Sequence, residues 1–149
     1  MKVLVYGLSG AGKTHIAKGL MEIFGDEAEW FNADTIRTEC KDWDFSKKGR
    51  ERQKQRMLVL ATIAVAKGKI AICDFICPTE DGRDSFGADY EIFVNTISEC
   101  EYKDTNKMFE QPNYDKYPVR IPHYIVTEHR GNTDVLLIAE EIKEIIKST

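Results

Sequence analysis

The residues with the most chemical content stand near the N-terminus. Gly7-Leu8-Ser9-Gly10-Ala11-Gly12-Lys13-Thr14 satisfies the pattern G-x-x-x-x-G-K-[ST] without a mismatch. In such a loop the glycines let backbone N–H groups wrap around phosphate oxygens, where side chains would obstruct them. The start of the following helix adds partial positive charge. Lys13 reaches the β- and γ-phosphates of a nucleoside triphosphate, and the Thr14 hydroxyl is placed to ligate Mg²⁺. Gly7, Ser9, Gly10, Ala11, Gly12, Lys13 and Thr14 are therefore the expected ATP site, with ATP and Mg²⁺ as the implied cofactors. The guanine-reading N-K-x-D segment of a GTPase is absent from the sequence, and a motor or helicase ATPase is normally larger.

Further polar groups fall where short apolar runs end. Asp34 follows one such run and Arg37 lies one helical turn later. A carboxylate there suits accepting or orienting a hydroxyl proton, and the arginine suits an acidic acceptor. Asp74 closes the apolar run Ile70 to Cys73, the position of a Walker-B-type carboxylate that holds Mg²⁺ directly or through water. Each has a plain structural alternative as a cap or turn residue. Lys47 to Arg56 is a basic stretch in an acidic chain. Arg50 and Gln53 within it continue the inward stripe of Met57, Leu60, Ala61 and Ala64, while Arg52 and Arg56 fall on another face. Phe45 could stack on a planar base, with Tyr114 and Tyr117 as the opposite wall; hydrophobic stapling and loop packing account for them equally. Arg83 sits where small kinases often carry an arginine that stabilises the transferred phosphoryl group. Trp30 and Trp43 read as packing residues, and His15, His123 and His129 as structural or surface groups.

The elements that must position these groups read as alternating strands and helices. Strands are expected at Lys2 to Tyr6, Glu29 to Asn32, Lys69 to Phe75, Tyr90 to Val94 and Tyr124 to Thr127. Helices are expected at Lys13 to Phe24, with Ile16, Leu20, Ile23 and Phe24 inward, and from Ser46 as N-cap to near Gly68. Thr79 opens a short helix. Thr133 caps a last one that docks through Leu136, Leu137, Ile142 and Ile145. Tyr102 to Pro122 reads as an irregular functional loop or lid. The fold class is α/β: a three-layer P-loop NTPase fold with a central, mostly parallel sheet of about five strands and helices on both faces. The 149 residues suit one domain, 1–149.

Composition narrows the partners. Lys and Arg number 21 against 25 Asp and Glu, a net charge of −4. That disfavours a nucleic-acid partner, although the local basic run keeps one open. No apolar run is long enough to span a bilayer, and the N-terminus lacks a signal-peptide cleavage pattern, so the expected location is cytoplasmic. Cys40, Cys73, Cys77 and Cys100 contain no C-x-x-C pair and read as reduced structural thiols.

Taken in order, these motifs resemble those of the adenylylsulfate kinases, which transfer the ATP γ-phosphoryl group to the 3′-hydroxyl of adenosine 5′-phosphosulfate (APS) to give PAPS in sulfate assimilation. Residues 7–14 look like the family's GLSGSGKS/T loop. Phe31-Asn32-Ala33-Asp34-Thr35-Ile36-Arg37 looks like its LDGDNIR segment, and Asp44-Phe45-Ser46 with Arg50 and Glu51 is similar to its GFS…DR-E-N run. Asp74-Phe75-Ile76-Cys77-Pro78 stands where the family has SFISP, and Phe93-Val94-Asn95-Thr96 where a strand ends in V-D-T. Lys103-Asp104 before Lys107-Met108-Phe109 is similar to RD-P-KGLY.

The resemblance implies a catalytic role for Asp34, phosphosulfate contacts from Arg37 and Arg50, adenine stacking by Phe45 and an acceptor contact from Gln53. It extends the acceptor site to Phe75, Ile76, Lys107 and Tyr117, and it allows a homodimer. The chain departs from the family pattern in several places. The first Asp of D-G-D is Asn32, the serine before F-I-S-P is Asp74, and the K-G-L-Y lysine is Asn106. The F-T-G-I segment survives as Pro118-Val119-Arg120-Ile121. Two alternatives stay open: a kinase of another hydroxyl acceptor (nucleoside, nucleotide or a hydroxyl in nucleic acid), or a nucleotide-binding module with weak transfer.

Overall fold

Five short runs of β-branched and aromatic residues pair into one sheet. The computed structural model describes residues 1–115 and 121–149. Its strands are β1 (Lys2–Tyr6), β2 (Ala28–Asn32), β3 (Ile70–Asp74), β4 (Tyr90–Val94) and β5 (His123–Val126). Their spatial order is β2-β3-β1-β4-β5, and every neighbouring pair is parallel. Parallel neighbours need crossovers, and the helices α1 (Lys13–Phe24), α2 (Ala33–Cys40), α3 (Lys47–Ala66), α4 (Glu80–Phe86), α5 (Lys103–Met108) and α6 (Thr133–Lys147) supply most of them. This is the expected five-stranded, three-layer arrangement.

The period-two alternation of the strands decides which helix covers which face. Val3, Val5, Ile72, Ile92 and Val94 point to one side and pack with Ile16, Leu20 and Phe24 of α1 and Val135, Ile138 and Ile142 of α6. Leu4, Tyr6, Ala71, Cys73 and Phe93 point to the other, against Ile36 of α2, Met57, Ala61 and Ala64 of α3, and Phe86 of α4. Both faces of the central strands are buried, which is why they read as continuous apolar runs.

Several local expectations need correction. The inward residues of α1 include Ala17, while Ile23 turns outward. In α6, Leu136 and Leu137 are exposed and Val135, Ile138, Ala139 and Ile142 dock instead; the helix starts at Thr133 after Asn132 and has no side-chain cap. The stretch expected to be irregular from Tyr102 contains α5, a polar six-residue helix. Ser46 does cap α3, accepting from Gly49 N at 3.2 Å, and Thr79 caps α4, accepting from Gly82 N at 3.0 Å. Among the described residues no helix is long and apolar enough to cross a membrane.

Candidate active site

In an open parallel sheet the crevice lies beyond the C-terminal strand ends, and the residues there surround a cavity of about 800 Å³. One end is the loop between β1 and α1. Gly10 and Gly12 lie at φ of 84° and 106°, conformations that glycine adopts without steric cost. A Cβ on Gly12 would meet the His129 ring at 2.6 Å, so the loop between β5 and α6 rests against the phosphate loop. Thr96 Oγ1 donates to Ala11 O at 2.7 Å, tying the loop to the end of β4. Ser9, Gly10, Gly12, Lys13 and Thr14 line the cavity; Gly7 and Ala11 shape the loop from behind. Lys13 Nζ donates to Leu8 O at 2.9 Å. Burial lowers its pKa, opposed by the nearby charges of Asp74 and Asp34.

The floor is the paired ends of β2 and β3. Asp74 is 3% exposed, and burial raises its pKa. Asn32 Nδ2 and Trp30 Nε1 both donate to Asp74 Oδ2, at 2.8 and 3.0 Å, and together with Lys13 they pull that pKa back down. Trp30 is thus more than a packing residue. Asn32, not Asp34, is the N-cap of α2, its Oδ1 accepting from Thr35 N at 3.0 Å. That frees the Asp34 carboxylate, which lies in the first turn of α2, lines the cavity and makes no hydrogen bond or ion pair with the described residues.

The wall opposite is carried by α2 and α3 and by the loop between them. Arg37 NH1 donates to the carbonyls of Asp42 and Asp44, at 2.8 and 3.2 Å, and Arg52 and Arg56 both bond the Asp42 carboxylate. Arg52 and Arg56 hold the Asp42 carboxyl well below its usual range, and Ser46 and Arg52 lower Asp44 to about 2. The loop so fixed presents Phe45, with the guanidinium carbon of Arg37 at 4.3 Å and that of Arg50 at 5.4 Å from the ring centroid. Arg50 donates from Nε to Phe45 O at 3.0 Å and from NH2 to Thr105 Oγ1 at 2.8 Å. Gln53 Nε2 donates to Ala33 O at 3.0 Å, joining α3 to the start of α2. Phe75 and Ile76 close the cavity from the β3 end, where Cys77 turns the chain with a positive φ of 43°. Burial pushes the Cys77 thiol up to about 12, so it stays protonated.

Three expected site residues are placed elsewhere. Arg83 is 3% exposed and outside the cavity: it donates to the carbonyls of Cys77, Pro78 and Glu110 and packs on Tyr6 and Phe109. It clamps the segment after α5 to the loop after β3, because buried carbonyls need its donors. Tyr114 bonds Tyr6 and Glu91 and stacks on His123 at 3.8 Å, which turns it away from a base-binding wall. Lys107 is exposed and does not line the cavity. Tyr117 lies outside the described residues. Sequence reasoning missed Lys54, which is buried, lines the cavity and donates to Ser85 Oγ at 2.6 Å. Its spacing signalled it, since position 54 shares the helical face of Arg50, Met57 and Ala61. Of the basic run, only Lys47 and Lys48 make no ion pair or hydrogen bond among the described residues; the other basic side chains are paired within the fold.

Known proteins share features of this sequence and fold. The family model described as adenylylsulphate kinase matches residues 1–116. The adenylyl-sulfate kinase of a Picosynechococcus species is 30% identical, with 95% of this chain and 88% of that protein covered. The adenylyl-sulfate kinase of Shewanella oneidensis is 32% identical over 69% of this chain and 56% of its own length. Among solved structures, the Mycobacterium tuberculosis APS kinase CysC in complex with AMPPNP and APS superposes with a TM-score of 0.71 at 18% identity, covering 98% of this chain and 96% of that one. At that identity the superposition speaks for the fold.

Proposed function

Because this chain belongs to the adenylylsulphate kinase family, we propose that it transfers the γ-phosphoryl group of ATP to the 3′-hydroxyl of APS. The observation that carries the reading is that the phosphate loop, Asp34, Arg37, Phe45 and Arg50 all line one cavity. In this reading the loop N–H groups and Lys13 bind the ATP phosphates, and Arg37 and Arg50 hold the phosphosulfate by charge-assisted hydrogen bonds. Phe45 meets the acceptor adenine, with Gln53, Phe75 and Ile76 shaping the rest of the pocket. The 3′-oxygen forms the new P–O bond and the bond from the γ-phosphorus to the β-bridging oxygen breaks. ADP leaves with that electron pair, and the hydroxyl proton passes to Asp34.

The donor set fits Mg²⁺: a Thr14 hydroxyl and a buried Asp74 carboxylate line the same cavity as Lys13. When bound, Mg²⁺ neutralises charge on the β- and γ-phosphates. Arg83 has no part in this reading, because it lies outside the cavity, with Nε and NH2 bonded to carbonyls and NH1 buried without a partner among the described residues. The reading places the reaction in the cytoplasm.

The test is calorimetric titration of APS into the protein saturated with Mg·ADP. Saturable binding is expected, and Arg50→Met should weaken it by roughly ten- to a hundredfold, the loss of a charged hydrogen bond. Equal affinity for APS and adenosine, unchanged by Arg50→Met, would overturn the assignment.

A further inference from the structure

Helix α3 leads into β3, and β3 ends at the cavity, so α3 starts at the cavity rim and runs down along its wall. Lys47, Arg50, Glu51 and Lys54 share one stripe of the helix, at i, i+3, i+4 and i+7, and all four line the cavity. Lys54 stands one turn deeper than Arg50, about 6 Å further along the axis. It is 8% exposed, and its ammonium has two partners: Ser85 Oγ at 2.6 Å and the Glu51 carboxylate at 2.8 Å. Its third N–H bonds none of the described residues. The Glu51 side chain is 57% exposed, so water screens that pair. Beyond Lys54 the stripe continues as Met57 and Ala61, both fully buried. A methionine at position 54 would extend that packing. An ammonium buried there and weakly paired costs stability instead. Such a charge is explained by a ligand rather than by the fold.

The cavity reaches this ammonium. On the facing helix α4, Ser85 holds it, and Gly82, one turn earlier, lines the cavity without a side chain to fill it. We propose that Lys54 is a specificity-determining residue of the acceptor site. Its ammonium takes an oxygen of the distal oxyanion of a nucleotide that carries two consecutive tetrahedral groups on its 5′-oxygen; in APS that is the sulfuryl group. Arg37 and Arg50, nearer the rim, serve the inner phosphate. A compact ammonium suits one oxygen of a tetrahedral group, whereas a guanidinium fork suits two at once. A nucleoside monophosphate ends one group short of Lys54. Glu51 competes with the distal oxyanion for the same ammonium, so it holds the side chain in place and weakens the ligand's grip. This inference rests on the proposed acceptor site for APS.

The test compares two ligands that differ only in the distal group. APS and AMP are titrated calorimetrically into the full chain saturated with Mg·ADP, for the wild type, Lys54→Met and Glu51→Gln, with Tm recorded for each. The wild type should prefer APS to AMP. Lys54→Met should weaken APS by roughly tenfold or more, the loss of a charged hydrogen bond, and leave AMP unchanged. Its Tm should hold or rise, because a buried charge is gone. Glu51→Gln, at an exposed side chain, should act in the opposite direction and tighten APS by roughly threefold, again with AMP unchanged. A purely structural Lys54–Glu51 pair would move Tm and leave the ratio of the two affinities alone. A wild-type preference for APS that survives in Lys54→Met, or a Glu51→Gln protein that binds APS more weakly, would overturn this proposal alone. A wild type that binds APS no better than AMP would overturn it together with the acceptor reading.

Discussion

Lys13→Ala should lower kcat by roughly three orders of magnitude, the scale seen when a preorganised cation is removed from a phosphoryl-transfer site. Lys13 is the first residue of α1, held at the mouth of the loop, and its ammonium lies near Asp34 and Asp74. Its donor rests on Leu8 O. ATP would offer the ammonium anionic oxygens in place of one neutral carbonyl, an exchange that grows more favourable as charge builds on the transferred group. Lys13→Arg should not rescue activity, because a planar fork cannot occupy the place of a compact ammonium in a loop this closed. Single-turnover measurement of ADP formation at saturating ATP checks both variants. Turnover within tenfold of the wild type in Lys13→Ala would contradict the assignment.

Asp34→Asn should lower kcat by about a hundred- to ten-thousandfold, the usual contribution of a positioned proton acceptor. Its ATP affinity should change little. The substitution is nearly isosteric and removes only the charge. Because Asn32 already caps α2, helix entry does not depend on Asp34. Steady-state kinetics separates the effects: an unchanged KM for ATP with a collapsed kcat supports a role in transfer. A parallel loss of ATP affinity, with kcat preserved at saturation, would place Asp34 in nucleotide binding instead.

Much of the site was legible because local sequence determines it. The phosphate loop needs its glycines at fixed places, and the apolar runs that carry Asp74 and precede Asp34 end where the strands end. The Ser46 cap and the inward stripe of α3 follow from spacing alone, and that stripe brought Arg50 and Gln53 into view. What stayed hidden depends on partners far along the chain. The pairing of Asn32 with Asp74 requires the register of two strands separated by α2 and α3. Trp30 became a hydrogen-bond donor only once β3 lay beside it. Arg83 was misplaced because its partners, among them Glu110 O, lie in a segment whose path no periodicity sets. α5 was missed because six polar residues carry little helical pattern. Lys54 broke the apolar code of a face that is nonetheless buried.

The central claim is that APS is the acceptor. The most direct measurement incubates the protein with Mg·ATP and APS, follows ADP release through a coupled assay and identifies the product by mass spectrometry. The account predicts ADP formation that depends on APS, together with a product heavier than APS by one phosphoryl group on the 3′-oxygen. ATP binding with no phosphorylated APS, alongside transfer to a nucleoside, a nucleotide or a hydroxyl in nucleic acid, would contradict it.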